Sequence, residues 1–286
     1  FIWYMMGSVE KRSGLPLAHQ EIKVGGSKAV VTLSTGERVA LFGDTTVCVN
    51  DGLSTMINQQ DTLNFMKNND VVVAENSYTV IEIPRGGEYN LKLADGTDVW
   101  MFADSEIRFP TRFKGNKREV YLSGEAYFEV HHDPSRPFYV KTTSLDVKVL
   151  GTSFNVKAYD DMDVVETSLV EGVVSVKDNV LRPNMQAVFH KNTGDFSYRK
   201  INGDNYRLRK ERVFVFENER LDDILQEMAR WYDFDIFYQN PDIADKQFGL
   251  KLEKYEHVDS LLRILELTGE VKFSIKGRIL TVMSGS

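Results

Sequence analysis

Cysteine is almost missing from this chain: Cys48 is the only one in 286 residues. An intrachain disulfide and a thiolate metal cluster are thereby excluded, while the compartment is left open. Cys48 lies in Thr46-Val47-Cys48-Val49, which reads as a half-buried strand rather than a nucleophile's setting. Long apolar runs are missing too. The opening Phe1-Ile2-Trp3-Tyr4-Met5-Met6 covers about 10 Å as a helix, against about 30 Å for a bilayer core. It reads either as the outer end of a membrane helix, with Trp3 and Tyr4 at the interface, or as a first strand. Concentrated positive charge is a third absence. The net charge is −7, and the densest basic stretch, Arg207-Leu208-Arg209-Lys210-Glu211-Arg212, is short. Nucleic acid is therefore not an expected partner.

Catalytic signatures are absent as well. No Gly-x-Ser-x-Gly elbow, phosphate loop, His-Glu-x-x-His or kinase motif occurs. Arg85-Gly86-Gly87-Glu88 is glycine-rich, yet it leads into a strand, so no helix N-terminus is on offer for phosphate. His131 and His132 are neighbours on a strand end and point to opposite faces. Asp160, Asp161 and Asp163 lack the glycine and distal Glu of a calcium loop and read as a solvated turn. The expectation is a chain that is not an enzyme and needs no metal or cofactor.

What is present is 42% hydrophobic and 11% aromatic residues, enough for about two domains. From about 20 to 200 the sequence is short strands between glycine turns, with stretches such as Tyr89–Leu93, Ala126–Val130 and Val173–Val176 rich in β-branched and aromatic residues. No helical period is visible before residue 219. A motif repeats at an offset of 60. Gly26, Val31, Leu33, Gly36, Val39 and Leu41 recur as Gly86, Leu91, Leu93, Gly96, Val99 and Met101, a pair of equivalent hairpins.

The texture changes after 200. Val213–Phe216 reads as a strand. Leu221, Ile224, Leu225, Met228 and Trp231 follow with helical spacing and Asn218 as N-cap. Another helix carries Val258, Leu261, Leu262 and Leu265 and ends at Gly269. Val271–Ile275 and Ile279–Val282 close the chain as a hairpin. The two halves align at an offset of 37 as a duplicated βαβ unit. The fold class is mainly β with a smaller α+β domain. The expected divisions are a membrane-proximal segment at 1–20, an all-β domain at 21–200, a linker at 201–210 and an α+β domain at 211–286. Trp231, Tyr232, Phe234, Phe237, Tyr238, Phe248 and Tyr255 crowd the second domain, and such a surplus points to a partner surface.

Five blocks carry a family resemblance: Pro84–Tyr89, Leu93–Trp100, Arg118–Val130, Val149–Val156 and Leu169–Val176. In this order and spacing they resemble the FecR family, and Arg230-Trp231-Tyr232 resembles the C-terminal domain that follows FecR regions. The chain departs from the family at Phe102, where Asn is usual, and at Arg209–Arg212, which lacks the usual Trp and Gly. The resemblance implies a twisted roll- or solenoid-like β domain followed by a domain similar to the short secretin/TonB N-terminal (STN) domain. It implies a periplasmic receiver, anchored in the inner membrane by one helix, for the N-terminal signalling domain of a TonB-dependent outer-membrane transducer. An extracytoplasmic-function sigma factor would be bound through a cytoplasmic domain absent from these residues. Trp231, Tyr232, Tyr238, Phe248 and Tyr255 form the pool of expected interface anchors, beside a strand edge left open by the hairpin Val271–Val282. A carbohydrate- or ligand-binding β module and a glycoside hydrolase with two unmarked carboxylates remain as alternatives.

Overall fold

The structure, a computed structural model, describes residues 22–43, 47–50, 54–59, 61–67, 77–177, 179–254 and 256–285. Residues 1–20, the expected membrane-proximal segment, and Tyr255 lie outside them.

Through Lys200 every described element is a strand. Side chains alternate faces along a strand, and in Tyr78–Ile83 it is Thr79, Ile81 and Ile83 that are buried. One core takes in Val31, Ile81, Ile107 and Val140 together with Leu91, Val99, Phe154 and Leu169, so the strands form two layers over a shared interior. The twelve-residue strand Arg118–Glu129 belongs to both layers. Tyr121–Ser123 pairs with Glu106–Arg108 and Arg118–Tyr121 with Phe138–Lys141. From Gly124 onward the same strand pairs with Ser153–Ala158, and from Ala126 with Asp98–Met101. Gly124, at φ +97°, is the switch, and a Cβ there would lie 2.3 Å from Ser105 Oγ. Only glycine suits both the dihedral and the approach.

The two hairpins of the repeat are equivalent to the residue. Val31 faces Val39 and Ala29 faces Leu41; sixty positions on, Leu91 faces Val99 and Tyr89 faces Met101. Each turn closes with a glycine at positive φ, Gly36 and Gly96. The second turn is pinned by a buried ion pair: Arg118 Nη1 lies 2.7 Å from Asp95 and also donates to the His131 carbonyl. Cys48 is on a strand, as expected, but is exposed rather than half-buried.

Among the described residues three α-helices follow, with one short 3-10 turn at Pro241–Asp245. Helix α1 (Gly203–Lys210) lies in the stretch read as a linker. Its sequence, Gly-Asp-Asn-Tyr-Arg-Leu-Arg-Lys, carries no apolar stripe, so the periodicity could not reveal it. Asn202 caps it by accepting from the Asp204 N–H, and ion pairs hold the rest. Helix α2 (Leu221–Tyr232) buries Leu221, Ile224, Leu225, Met228 and Trp231. Its N-cap is Arg220 rather than Asn218. Asn218 instead takes φ +56° at a bulge in the strand Val213–Arg220, where the pairing with Gln247–Glu253 slips. Helix α3 (Val258–Glu266) buries Val258, Leu261, Leu262 and Leu265.

Strands Val213–Arg220 and Gln247–Glu253, equivalent in the duplication, pair with each other. Asp235–Tyr238 and Val271–Lys276, the other equivalent pair, flank Ile279–Ser284 in a three-stranded sheet. The closing hairpin is thus formed, and its second strand is central while Val271–Lys276 lies at the sheet edge, where the Phe273 N–H donates to Glu266 at 2.8 Å.

Candidate functional site

The expected anchors fare unequally. Trp231 is 2% exposed. Its Nε1 donates to the Lys254 carbonyl at 2.8 Å, and its ring lies against Gly25, where a Cβ would stand 2.6 Å from Cδ2. Tyr232 is 1% exposed, with its hydroxyl donating to the Glu256 carbonyl at 2.6 Å. Phe248 is buried in the same core. These three are withdrawn as partner anchors, because the two βαβ halves close on each other and consume them as core. Tyr238 is half-buried and donates to Asp222 at 3.0 Å; burial and then the Asp222 charge push its pKa up. Tyr255 lies outside the described residues.

Other residues hold the exposed positions. Phe237 is 58% exposed and Ile279 49%. In the three-stranded sheet Phe237 stands opposite Thr281, and Ile279 opposite Asp235 and Lys276. Phe237, Ile279, Thr281 and Met283 therefore share its outer face with Lys272, Ser274 and Lys276. Alternation along Asp235-Ile236-Phe237-Tyr238 was a signal that could have placed Phe237 outside.

The most heavily built region is the seam between the β domain and the C-terminal domain. Arg85 donates to the carbonyls of Ala229, in the last turn of α2, and Phe234, two residues beyond its end, and its Nε lies 3.2 Å from Asp233. The Gly86 N–H donates to the Arg230 carbonyl at 2.7 Å. Two residues on, Glu88 accepts from Arg212 at 2.6 Å and Lys254 at 3.2 Å. From the other side Arg230 reaches Asp161 with both carboxylate oxygens at 2.7 Å and covers the Tyr159 ring at 3.9 Å. Asp161, read as part of a solvated turn, is thus a tie between domains. Helix α1 adds Arg209 to Glu125 and Glu227, and Lys210 to Glu129.

Both departures from the family pattern sit here. The buried Phe102 ring lies beneath Arg209 and Lys254, so a ring with two cations fills the place of the usual Asn. Burial works against the charge of Glu125, yet Arg209, then Lys157, together with a hydrogen bond from Asn155, holds its carboxyl below the usual carboxylate range. Glu166 goes the other way, because burial outweighs the attraction of Lys157 and Arg199. Burial likewise raises the Tyr159 and Tyr206 hydroxyls.

A cavity of about 180 Å³ opens in this seam, lined by Lys157, Glu166, Arg199, Tyr206, Arg209 and Glu227 among others. Two carboxylates with pKa values moved apart are what acid–base chemistry would use. Here Glu125 is engaged by Arg209 and Asn155, and Glu166 faces Arg199 at 3.8 Å. The arrangement supplies internal charge neutralisation rather than a free acid and base. Among the described residues no three His, Cys, Asp or Glu side chains are grouped to hold a metal ion, and no helix is long and apolar enough to cross a membrane.

Comparison with known proteins gives the following. The family model for the FecR protein matches residues 79–175, and the model for the FecR C-terminal region matches residues 213–282. Two crystal structures of a candidate anti-sigma factor from Parabacteroides distasonis ATCC 8503 are similar to the chain. The one at 2.50 Å resolution has a TM-score of 0.67 at 26% identity, covering 73% of this chain and 100% of that chain. The one at 1.65 Å resolution gives the same score and identity over 72% and 99%. No curated protein matches.

Proposed function

Because this chain belongs to the FecR family of anti-sigma factors, we propose that it is the periplasmic, signal-receiving region of such a factor. Its ligand is the N-terminal signalling domain of a TonB-dependent outer-membrane transducer. It relays that binding to an extracytoplasmic-function sigma factor held by a cytoplasmic domain across a single inner-membrane helix. The chain acts by binding and not by catalysis. The C-terminal domain is STN-like in its duplicated βαβ order, and the β domain is a twisted roll.

One observation carries this reading. Two blocks of the family pattern, Pro84–Tyr89 and Arg230–Tyr232, meet in the seam and are spent on joining the domains. A seam so constructed couples the two domains, which is what a receiver needs if docking on one domain is to be felt at the other. What is left to a partner is the outer face and the edge strands of the three-stranded sheet. Edge N–H and C=O groups there are templates for an added strand, and Phe237 and Ile279 supply apolar surface beside them.

The test mixes the purified chain with transducer signalling domains and measures complex formation by calorimetry. A 1:1 complex with one transducer domain is expected. Phe237→Asp with Ile279→Asp should weaken it at least about tenfold without changing the melting temperature, since truncating an interface anchor costs about 1–2 kcal/mol. If no transducer domain binds, or if the double variant binds as tightly as the parent, the reading fails.

A further inference from the structure

The solvent face of the β domain carries an arrangement that neither the seam nor the three-stranded sheet explains. Arg108 lies between two tyrosine rings, its guanidinium carbon 4.7 Å from the Tyr78 centroid and 4.3 Å from that of Tyr121. The rings meet edge to face at 6.2 Å. Pairing puts these residues on one face: Arg108 stands opposite Val80 on one neighbour and Tyr121 on the other, and Tyr121 opposite Lys141. Tyr139 follows on the adjacent strand, opposite Lys148, whose ammonium lies 5.8 Å from its ring. Arg108, Tyr121, Tyr139 and Lys148 thus come from four successive strands, about 14 Å across.

Charge on this face is neutralised almost everywhere else. Glu82 is paired with Arg38, Glu119 with Lys117 and Lys141, and Asp146 with Lys141. Glu106 is unpaired. Arg108 and Lys148 have no carboxylate partner among the described residues. A guanidinium clamped by two rings has lost its rotational freedom but kept its N–H fork, which fits a carboxylate in two-point contact. Aromatic side chains on a flat, open face present apolar surface with a polar tip.

We propose that this face binds a linear polysaccharide whose sugar rings bear carboxylates, a polyuronate. In such a polymer the carboxylate is attached to the pyranose ring itself. One residue can then bring its carboxylate to Arg108 beside the Tyr78 and Tyr121 rings, and a later residue can lie against Tyr139 with its carboxylate at Lys148. Two unpaired cations are too few to hold a generic polyanion by charge alone, so the sugar ring is part of the recognition.

Affinity electrophoresis of the full chain tests this, in gels containing polygalacturonate, neutral dextran or poly-glutamate, with sedimentation against isolated cell-wall sacculi alongside. Retardation by polygalacturonate alone is expected. Arg108→Gln should weaken it at least about tenfold, as for loss of a charge-assisted hydrogen-bond pair, and Lys148→Gln by a smaller factor. Melting curves of both variants establish that they fold; Lys148 is exposed, so its variant keeps the test open if Arg108→Gln does not. Absence of retardation by polygalacturonate overturns the proposal. So does equal retardation by poly-glutamate, binding to sacculi but not to polygalacturonate, or unchanged retardation of a folded Arg108→Gln chain. The isolated chain is used throughout, so the outcome is independent of any transducer.

Discussion

Glu125 of the β domain and Glu227 of α2 are bound to the same nitrogen: Arg209 Nη2 lies 3.1 Å from the first carboxylate and 2.9 Å from the second. Neither acid could be buried beside the other without that cation. The triad is the centre of the seam and the place where its chemistry is most easily tested.

Replacing Glu125 with Gln keeps the shape and removes the charge, leaving Arg209 with Glu227 alone. Breaking a buried pair costs about 3 kcal/mol, so a matching fall in denaturant-unfolding free energy is expected at pH 7. A carboxyl whose folded pKa lies below its unfolded value contributes stability above the unfolded value and loses it as the pH falls through the folded one. The gap between the proteins should therefore narrow below pH 4.5, the ordinary glutamate value. A gap that is constant down to pH 3 would show that charge is not what Glu125 supplies.

Glu166 has the opposite sign. Burial raises its folded pKa above 4.5, so its favourable contribution is complete below that value and is lost as the pH rises through the folded pKa. Glu166→Gln should melt higher than the parent at pH 8 and about equally at pH 4. Melting temperatures at pH 4, 6 and 8 decide it; a variant that melts lower than the parent at pH 8 contradicts the assignment.

Trp231→Ala removes a 2%-exposed ring, its hydrogen bond to Lys254 and its contact with Gly25. A loss of about 3–5 kcal/mol follows from burial of this size. Phe237→Ser, on the exposed face, should stay within about 0.5 kcal/mol of the parent. Equal effects in urea titrations would undo the division of these aromatics into core and surface.

Gly124→Ala meets both a positive φ and the Ser105 side chain. The strained dihedral alone costs about 1–3 kcal/mol, so the midpoint of chemical unfolding should drop clearly. A variant as stable as the parent would mean that the strand can change layers without this glycine.

Much of the fold was legible in the residues. The repeat at an offset of 60 became two hairpins with matching register, because hydrophobic alternation and a glycine turn are local properties of the strand pair. Helices α2 and α3 followed from apolar spacing. Helix α1 did not, since nothing in Gly203–Lys210 marks a buried face and its ion-pair partners lie far off in sequence. Asn218 misled as a cap because a bulge at the same place also favours Asn at positive φ.

The candidate site was less legible. Trp231, Tyr232 and Phe248 are the residue types that partners favour, and also the types that cores favour; the sequence holds no count of how many rings the second domain can bury. Arg85 and Glu88 stood in a recognised block, yet nothing near them named α2, Arg212 or Lys254 as their partners.

By itself the sequence determined strand alternation, the turns, two of the three described α-helices and the family, since each depends on residues within a few positions or on a pattern carried whole. Which aromatics are interior, where Glu125 and Glu166 diverge, and that Arg108 is clamped with its donors free were settled only by the tertiary structure. Burial and charge pairing are properties of neighbours in space, and the closure of two domains on one seam brings together groups that the chain itself keeps far apart.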